Sequence, residues 1–354
     1  STDEWTRYAA AVRQCKAGYI DGAEFPNYDS LVAHHATATA NGSSPNPAWP
    51  GGIDQAHYGP KFLIYHSMII RSFELCIQNY DPSVAAHYWD WTKDADVAQT
   101  IVAPTSASFY GDYGTSANEY APVGGYFEGF NVSIVADSQV RSDWLVPWDT
   151  AGTSGFMRTS SSQSTVWNGQ CNGQSPCEYP YASSSPHILR IPGMSWSSNL
   201  GTTTDLQYAL NSASYRELWC RVTYSQSTCP GGSEGGLHGL VHLAVAGATH
   251  WANPMGEMFD VRTSPNDPIF FMIHSMIEKI FQRWQNKTGI ALQTSSDPCG
   301  GYDTSGWPWG HQITDPIVPI VKTFGSETGE TASSVCSALY GNAPYAYSQE
   351  WTTM

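Results

Sequence analysis

The sequence is short of positive charge. Only 16 of its 354 residues are Lys or Arg, against 31 Asp or Glu, so the formal net charge is −15 and charged residues of both signs reach just 13%. So few cations cannot neutralise a phosphate backbone, and so acidic a chain is repelled by an anionic lipid surface. Nucleic-acid and membrane-surface partners are therefore excluded first. Long apolar runs are also lacking. The longest nearly apolar stretches, Lys61–Ile70 and Gly239–Ala248, each contain a histidine and fall short of the roughly 20 residues that a membrane span requires. No His-Glu-x-x-His segment and no Cys-x-x-Cys pair occurs, which removes the zinc-protease and zinc-ribbon signatures. The opening Ser1-Thr2-Asp3-Glu4 has neither an initiator Met nor a leader, and the expectation is a processed mature form. Internal repeats and charged linkers are missing too. One domain over residues 1–354 is expected, although a prior of about 150 residues per domain permits two.

Cysteine is present in even number: Cys15, Cys76, Cys171, Cys177, Cys220, Cys229, Cys299 and Cys336. Cys171–Cys177 and Cys220–Cys229 lie in Gly/Ser/Gln-rich sequence, where short staples suit irregular backbone; free core thiols are the blander reading, and connectivity stays open. Cys299 and Cys336 make a further staple. Asn41, Asn131 and Asn286 each begin an Asn-x-Ser/Thr glycosylation sequon. With the cysteines, they point to a secreted glycoprotein.

Helical periodicity is clearest in four places. Trp5–Lys16 has its N-cap signal at Thr2 or Asp3. A second helix opens at Pro60 and carries Phe62, His66, Ile69, Phe73 and Ile77 on one stripe. Leu237–Ala246 is short and holds His238, His242 and Val245 at helical spacing. Pro265–Trp284 carries Phe270, His274, Ile277, Phe281 and Trp284. Between the second and third lies a Gly-, Ser-, Tyr- and Pro-rich region at about 103–204, too long for a structureless loop in a compact domain. Disulfide-braced loops over a helical core are expected there.

Eleven histidines are distributed along the chain. One histidine on an apolar stripe is usually a satisfied core residue. Several on the buried faces of separate helices are another matter, because packing favours Leu or Ile there and an unpartnered buried imidazole costs free energy. His238 and His242 share a helical face one turn apart, and His274 lies on the core stripe of a different helix. His57 and His66, nine residues apart, converge only if His57 precedes the helix that opens at Pro60.

Together these residues resemble the type-3 copper proteins: tyrosinases, catechol oxidases and molluscan-type haemocyanin units. His57-Tyr58-Gly59-Pro60-Lys61-Phe62 matches the second copper A ligand with its Pro one place early, and His66 leads to Phe73-Glu74 in place. Tyr28-Asp29 points to His35 as the first copper A ligand, with His34 its neighbouring alternative. Tyr88-Trp89-Asp90-Trp91 is similar to a family signature. His238 and His242 match the copper B pair, and the segment Thr263 to Phe271 leads to the sixth ligand. The family usually has His-His there; this chain has Ile273-His274, with Glu278 four residues on, so His274 is the one carried over. His87, His187, His250 and His311 match no ligand position and are expected at the surface or behind the ligands.

The resemblance implies a mainly α fold, a four-helix bundle housing a dinuclear copper site with long disulfide-braced loops. It divides the chain into a copper A half (about 1–100), the irregular region, a copper B half (about 205–290) and a loop-rich extension, 291–354. The ligands would be His35, His57 and His66 for copper A, and His238, His242 and His274 for copper B. Imidazole suits copper, and O2 would be the co-substrate. Glu234 resembles a carboxylate that orients a water at the metals, or is an exposed loop Glu. Where monophenol hydroxylases often carry Asn after the first copper B histidine, this chain has Gly239, with Leu243 after His242. Val261 falls at the gate over copper A, and Gln55 stands where fungal members often form a Cys–His thioether. The chain is most like a short fungal catechol oxidase: a secreted enzyme oxidising catechols and substituted phenols to o-quinones, with a small phenol as its partner and no obligate protein partner evident. The alternatives are a tyrosinase with monophenol hydroxylase activity, a haemocyanin-like oxygen carrier and a secreted glycosidase.

Overall fold

The computed structural model describes residues 2–17, 57–98 (except 58), 121–130, 200–223, 236–246, 256–259 and 264–289, with shorter stretches or single positions within 27–35, 111–117, 165–190, 299–302, 312–317 and 331–337. Its elements are α1 (Thr2–Ala17), α2 (Lys61–Tyr80), α3 (Trp91–Ala98), a ribbon of β1 (Thr165–Trp167) and β2 (Cys177–Tyr179), α4 (Thr203–Leu210), α5 (Tyr215–Thr223), α6 (Gly236–Ala246), α7 (Ile269–Thr288) and α8 (Ala332–Cys336). The architecture is mainly α. Among the described residues the sole sheet is that antiparallel ribbon, with Thr165 opposite Tyr179.

Two helices form the centre. In α2 and in α7, fifteen of twenty residues are buried, the mark of a helix covered on every side. They pack against each other, and the Phe73 and Phe271 rings stack between them at 4.0 Å. A third wall is the segment holding Tyr28, Leu31, Val32 and His35, all helical in backbone and fully buried at the spacing of one helical stripe. Helix α6 closes the bundle against α5 and α7.

Local chemistry sets the boundaries. Acidic Asp3 and Glu4 in the first turn of α1 and Lys16 in its last complement the helix dipole. Pro60 occupies the position just before α2, its φ of −62° already helical, so the helix begins one residue later than the sequence suggests. A larger correction falls on the last long helix. Its expected start at Pro265 is a separate 3₁₀ turn, Ser264–Asn266, and α7 begins only at Ile269. Pro268 disfavours a helical conformation at Asp267, and the Asp267 carboxylate accepts a bond from the Ile269 amide instead. The far end runs on to Thr288, where Gly289 adopts the left-handed conformation that ends a helix (φ 62°). Helices α3, α4, α5 and α8 were not legible, each being nine residues or fewer.

Cys15–Cys76 ties α1 to α2, and Cys299–Cys336 forms as the sequence reading expects. These bridges span 61 and 37 residues, for which the chain-entropy account gives about 4 kcal/mol each. Cys220 is also disulfide-bonded, and no described cysteine is a free thiol. Cys171, Cys229 and the side chain of Cys177 lie outside the described residues. The irregular region contributes to the core where it is described: Phe127, Phe130, Ile188 and Arg190 are all buried.

Candidate metal centre

Six histidines converge in the middle of the bundle as two triads. His35, His57 and His66 form one; His238, His242 and His274 form the other; within each, one ring nitrogen per residue lies within 4.8 Å of the other two. In the first triad His35 comes from the 27–35 segment, His57 from the chain just before Pro60, and His66 from the second turn of α2. The Nε2 atoms of His35 and His66 approach to 3.3 Å. In the second, His238 and His242 stand one turn apart on α6, and their Nε2 atoms lie 3.2 and 3.4 Å from Nε2 of His274 on α7. Across the two triads, the His66 and His274 rings stack at 3.9 Å.

The proton placement is fixed by neighbours. His66 Nδ1 lies 2.8 Å from the Phe62 carbonyl and His242 Nδ1 lies 3.1 Å from the Met258 carbonyl. A carbonyl only accepts, so each Nδ1 must carry the proton and each Nε2 turns its lone pair toward the centre. Burial holds the His66, His238 and His274 rings well below the usual imidazole range and pushes His242 down to about 4, with neighbouring imidazoles adding to the effect. All six residues are 6% exposed or less, and His66, His238, His242 and His274 are thereby held as neutral donors. Six neutral imidazole nitrogens and no carboxylate make a donor set that fits copper. Phe62 and Phe270 wall the site, with Phe270 4.1 Å from His274 and Phe62 4.8 Å from His238.

A family model described as the common central domain of tyrosinase matches residues 26–287. The chain belongs to the tyrosinase family. Tyrosinase from Streptomyces lincolnensis is 25% identical over 292 residues, which cover 81% of this chain and 80% of that protein. Tyrosinase from Gallus gallus is 25% identical over 290 residues, 77% of this chain but 45% of that longer protein. Among solved structures, tyrosinase from Burkholderia thailandensis at low pH superposes with a TM-score of 0.55 at 16% identity, over 94% of this chain and 69% of that one. A mutant polyphenol oxidase from Thermothelomyces thermophila gives 0.53 at 17%, over 95% and 83%. At such identities these structures show the fold. Members of the tyrosinase family are copper oxidoreductases, and the two histidine triads suit a dinuclear copper centre.

The tyrosinase-family motifs have visible structural duties. Glu74 bonds Arg71 (2.6 Å) and the Ala86 amide (3.0 Å), tying α2 to the chain that follows it. The Trp89 amide donates to the Met272 carbonyl, and its indole to Asp94, so the Tyr88–Trp91 segment is stitched to α7. Tyr28 donates to the Pro265 and Asn266 carbonyls. Glu278 is buried. Gly239 sits beside His238 with open space where a side chain would be, and Leu243 is half-buried. His87 is half-buried, stacked on Tyr8 at 4.3 Å, and belongs to neither triad. Asn286 is exposed near the end of α7. Glu234, Val261, His34, Gln55, His187, His250, His311, Asn41 and Asn131 lie outside the described residues.

Sequence reasoning missed the groups that support the triads. Glu257, fully buried, accepts from Asn266 Nδ2 at 3.0 Å, beside the Met258 carbonyl that orients His242. Arg190, 1% exposed, forms a bidentate pair with Asp267 at the start of α7. The signal available for Arg190 was its setting, a single cation inside Ile188-Leu189-Arg190-Ile191. For a carbonyl such as that of Met258 the sequence carries no signal.

Proposed function

We propose that the chain is an o-diphenol oxidase: it oxidises two catechols to two o-quinones while O2 is reduced to two waters. The observation that carries this reading is the pair of buried all-histidine triads facing each other. In it, His35, His57 and His66 hold one copper and His238, His242 and His274 the other. The copper pair supplies, when bound, a two-electron couple between the diphenol and O2. The protein's part is electrostatic and geometric. Triads without a carboxylate leave the centre cationic, which draws the oxygens of a catechol and favours their loss of protons. The Nδ1–H bonds of His66 and His242 keep both rings aimed inward, and Phe62 and Phe270 keep water from the rings behind them.

Gly239 and Leu243 favour ready-made diphenols over monophenols. Neither side chain can accept or relay a phenol proton, and Gly239 leaves open space beside His238. The second reading is monophenol hydroxylation, favoured by the tyrosinases among the relatives. Disulfides and the exposed Asn286 sequon support a secreted protein acting as one domain over residues 1–354.

The test is copper per chain together with initial rates on catechol and tyramine. Two coppers, steady catechol turnover abolished by copper removal, and little tyramine oxidation are expected. Prompt, lag-free tyramine oxidation would replace this reading with the second one. A chain that binds no copper, or keeps its turnover after copper is stripped, would sink both.

A further inference from the structure

His66 and His242 are each keyed by an Nδ1 bond to a carbonyl, but His274 is not: its buried Nδ1 has no hydrogen-bond partner. Its ring direction therefore depends on packing and on where α7 begins. That beginning is fixed by Asp267. One carboxylate oxygen accepts from the Ile269 amide at 3.1 Å and from Arg190 Nη2 at 2.8 Å; the other accepts from Arg190 Nε at 2.8 Å. Arg190 is held in turn from the irregular region. Its Nη1 donates to the Gly111 carbonyl at 3.1 Å, and its own carbonyl accepts from the Gly114 amide at 2.9 Å. Gly111 has φ 81°, and a Cβ there would strike the Gly124 carbonyl, so only glycine lets these loops close on the guanidinium.

Stability alone does not account for the pair. A buried ion pair is often no more stabilising than apolar side chains of the same volume. What apolar side chains lack is direction: a guanidinium and a carboxylate joined by two parallel bonds have one mutual orientation. His274 lies two helical turns, about 10 Å, beyond Asp267, where a tilt of about 5° shifts the ring by about 1 Å, twice the tolerance of a metal site.

We propose that Arg190 is a positioning residue for His274, acting through Asp267 to set the start of α7 and so the geometry of the second triad. This rests on the copper reading above. It gives the irregular region a duty at the metal centre that its sequence does not display.

The test compares the copper-loaded wild type with Arg190→Lys, which keeps the charge but loses the fork, and with the double variant Arg190→Met, Asp267→Asn, which removes both charges and keeps an oxygen for the Ile269 amide. Folding is followed by circular dichroism, copper release by transfer to a chelator, and isolated Cu(II) by its electron paramagnetic resonance signal. One of the two coppers is expected to leave about 10–100-fold faster in both variants while the other leaves at the wild-type rate. Folded protein would then show the signal of a lone Cu(II). Wild-type release of both coppers from either folded variant overturns the proposal, as does equal acceleration of both. Should Arg190→Lys not fold, the double variant decides. A wild type that holds fewer than two coppers brings down the copper reading, and the proposal with it.

Discussion

Gly256 occupies a point where a side chain has no room. A Cβ built there falls inside contact of the Ala246 carbonyl at the end of α6. That close approach lets the next turn, Glu257–Phe259, lie along α6 and bring the Met258 carbonyl to His242 Nδ1. Gly256→Ala is therefore expected to push this turn outward and lengthen the bond that orients His242. Copper affinity at one of the two sites should fall about 10–100-fold, the cost usual for losing a group that orients a metal ligand. Titration of the metal-free variant with copper checks this; two binding steps like those of the wild type would refute it. At this scale the histidines were legible because an imidazole on an apolar stripe is chemically out of place. Gly256, Arg190 and the Met258 carbonyl were not. Their importance lies in partners distant in sequence, and one of them is backbone.

Among the elements, α2 and α7 were legible because each shows a full apolar stripe behind a proline. The structure moves their starts, since proline can precede a helix as well as open it. The short helices were hidden because eight or nine residues give too few turns to establish a period. Helix α2 also carries a liability at its first residue. Lys61 is fully buried with Nζ 3.1 Å from the Asp315 carbonyl. Burial pushes its pKa down from 10.5 to about 7, with the Asp315 carboxylate pulling the other way. Above pH 10.5 neither the folded nor the unfolded chain holds this proton; below about 7 both do. Between those limits the unfolded chain binds it better, so this contribution to stability is lost as the pH falls from 10.5 to about 7. Lys61→Met should remove that slope. At neutral pH it should raise stability by about 1–4 kcal/mol, the range seen when buried charge is exchanged for apolar volume. Thermal unfolding of both proteins between pH 7 and 10 measures the difference. A variant that melts lower than the wild type at pH 7 would show that the bond to Asp315 outweighs the burial cost.

For the whole molecule, the same accounting applies to the centre of the bundle. Burial first, and neighbouring imidazoles second, hold His66, His238 and His274 well below 6.5; burial and His57 bring His242 to about 4, opposed by its bond to Met258. Folding thus depends on keeping these rings neutral, a requirement that follows from gathering metal donors in an apolar interior. In the metal-free protein their contribution is complete above pH 6.5, where neither state is protonated. It is lost as the pH falls toward 4 and the unfolded chain takes up protons that the folded one refuses. Each such ring adds up to about 1.4 kcal/mol per pH unit within that window. The melting temperature of the metal-free protein should therefore drop steeply between pH 6.5 and 4.5, above the range where most carboxylates titrate. Copper should raise the melting temperature most at neutral pH, with the gain shrinking over the same interval as protons compete for the imidazoles. Parallel melts of the loaded and metal-free protein test both statements. A metal-free melting temperature that stays level down to pH 4.5 would mean that these four rings can spread apart and hydrate without unfolding, and that the bundle does not owe its acid sensitivity to the metal centre.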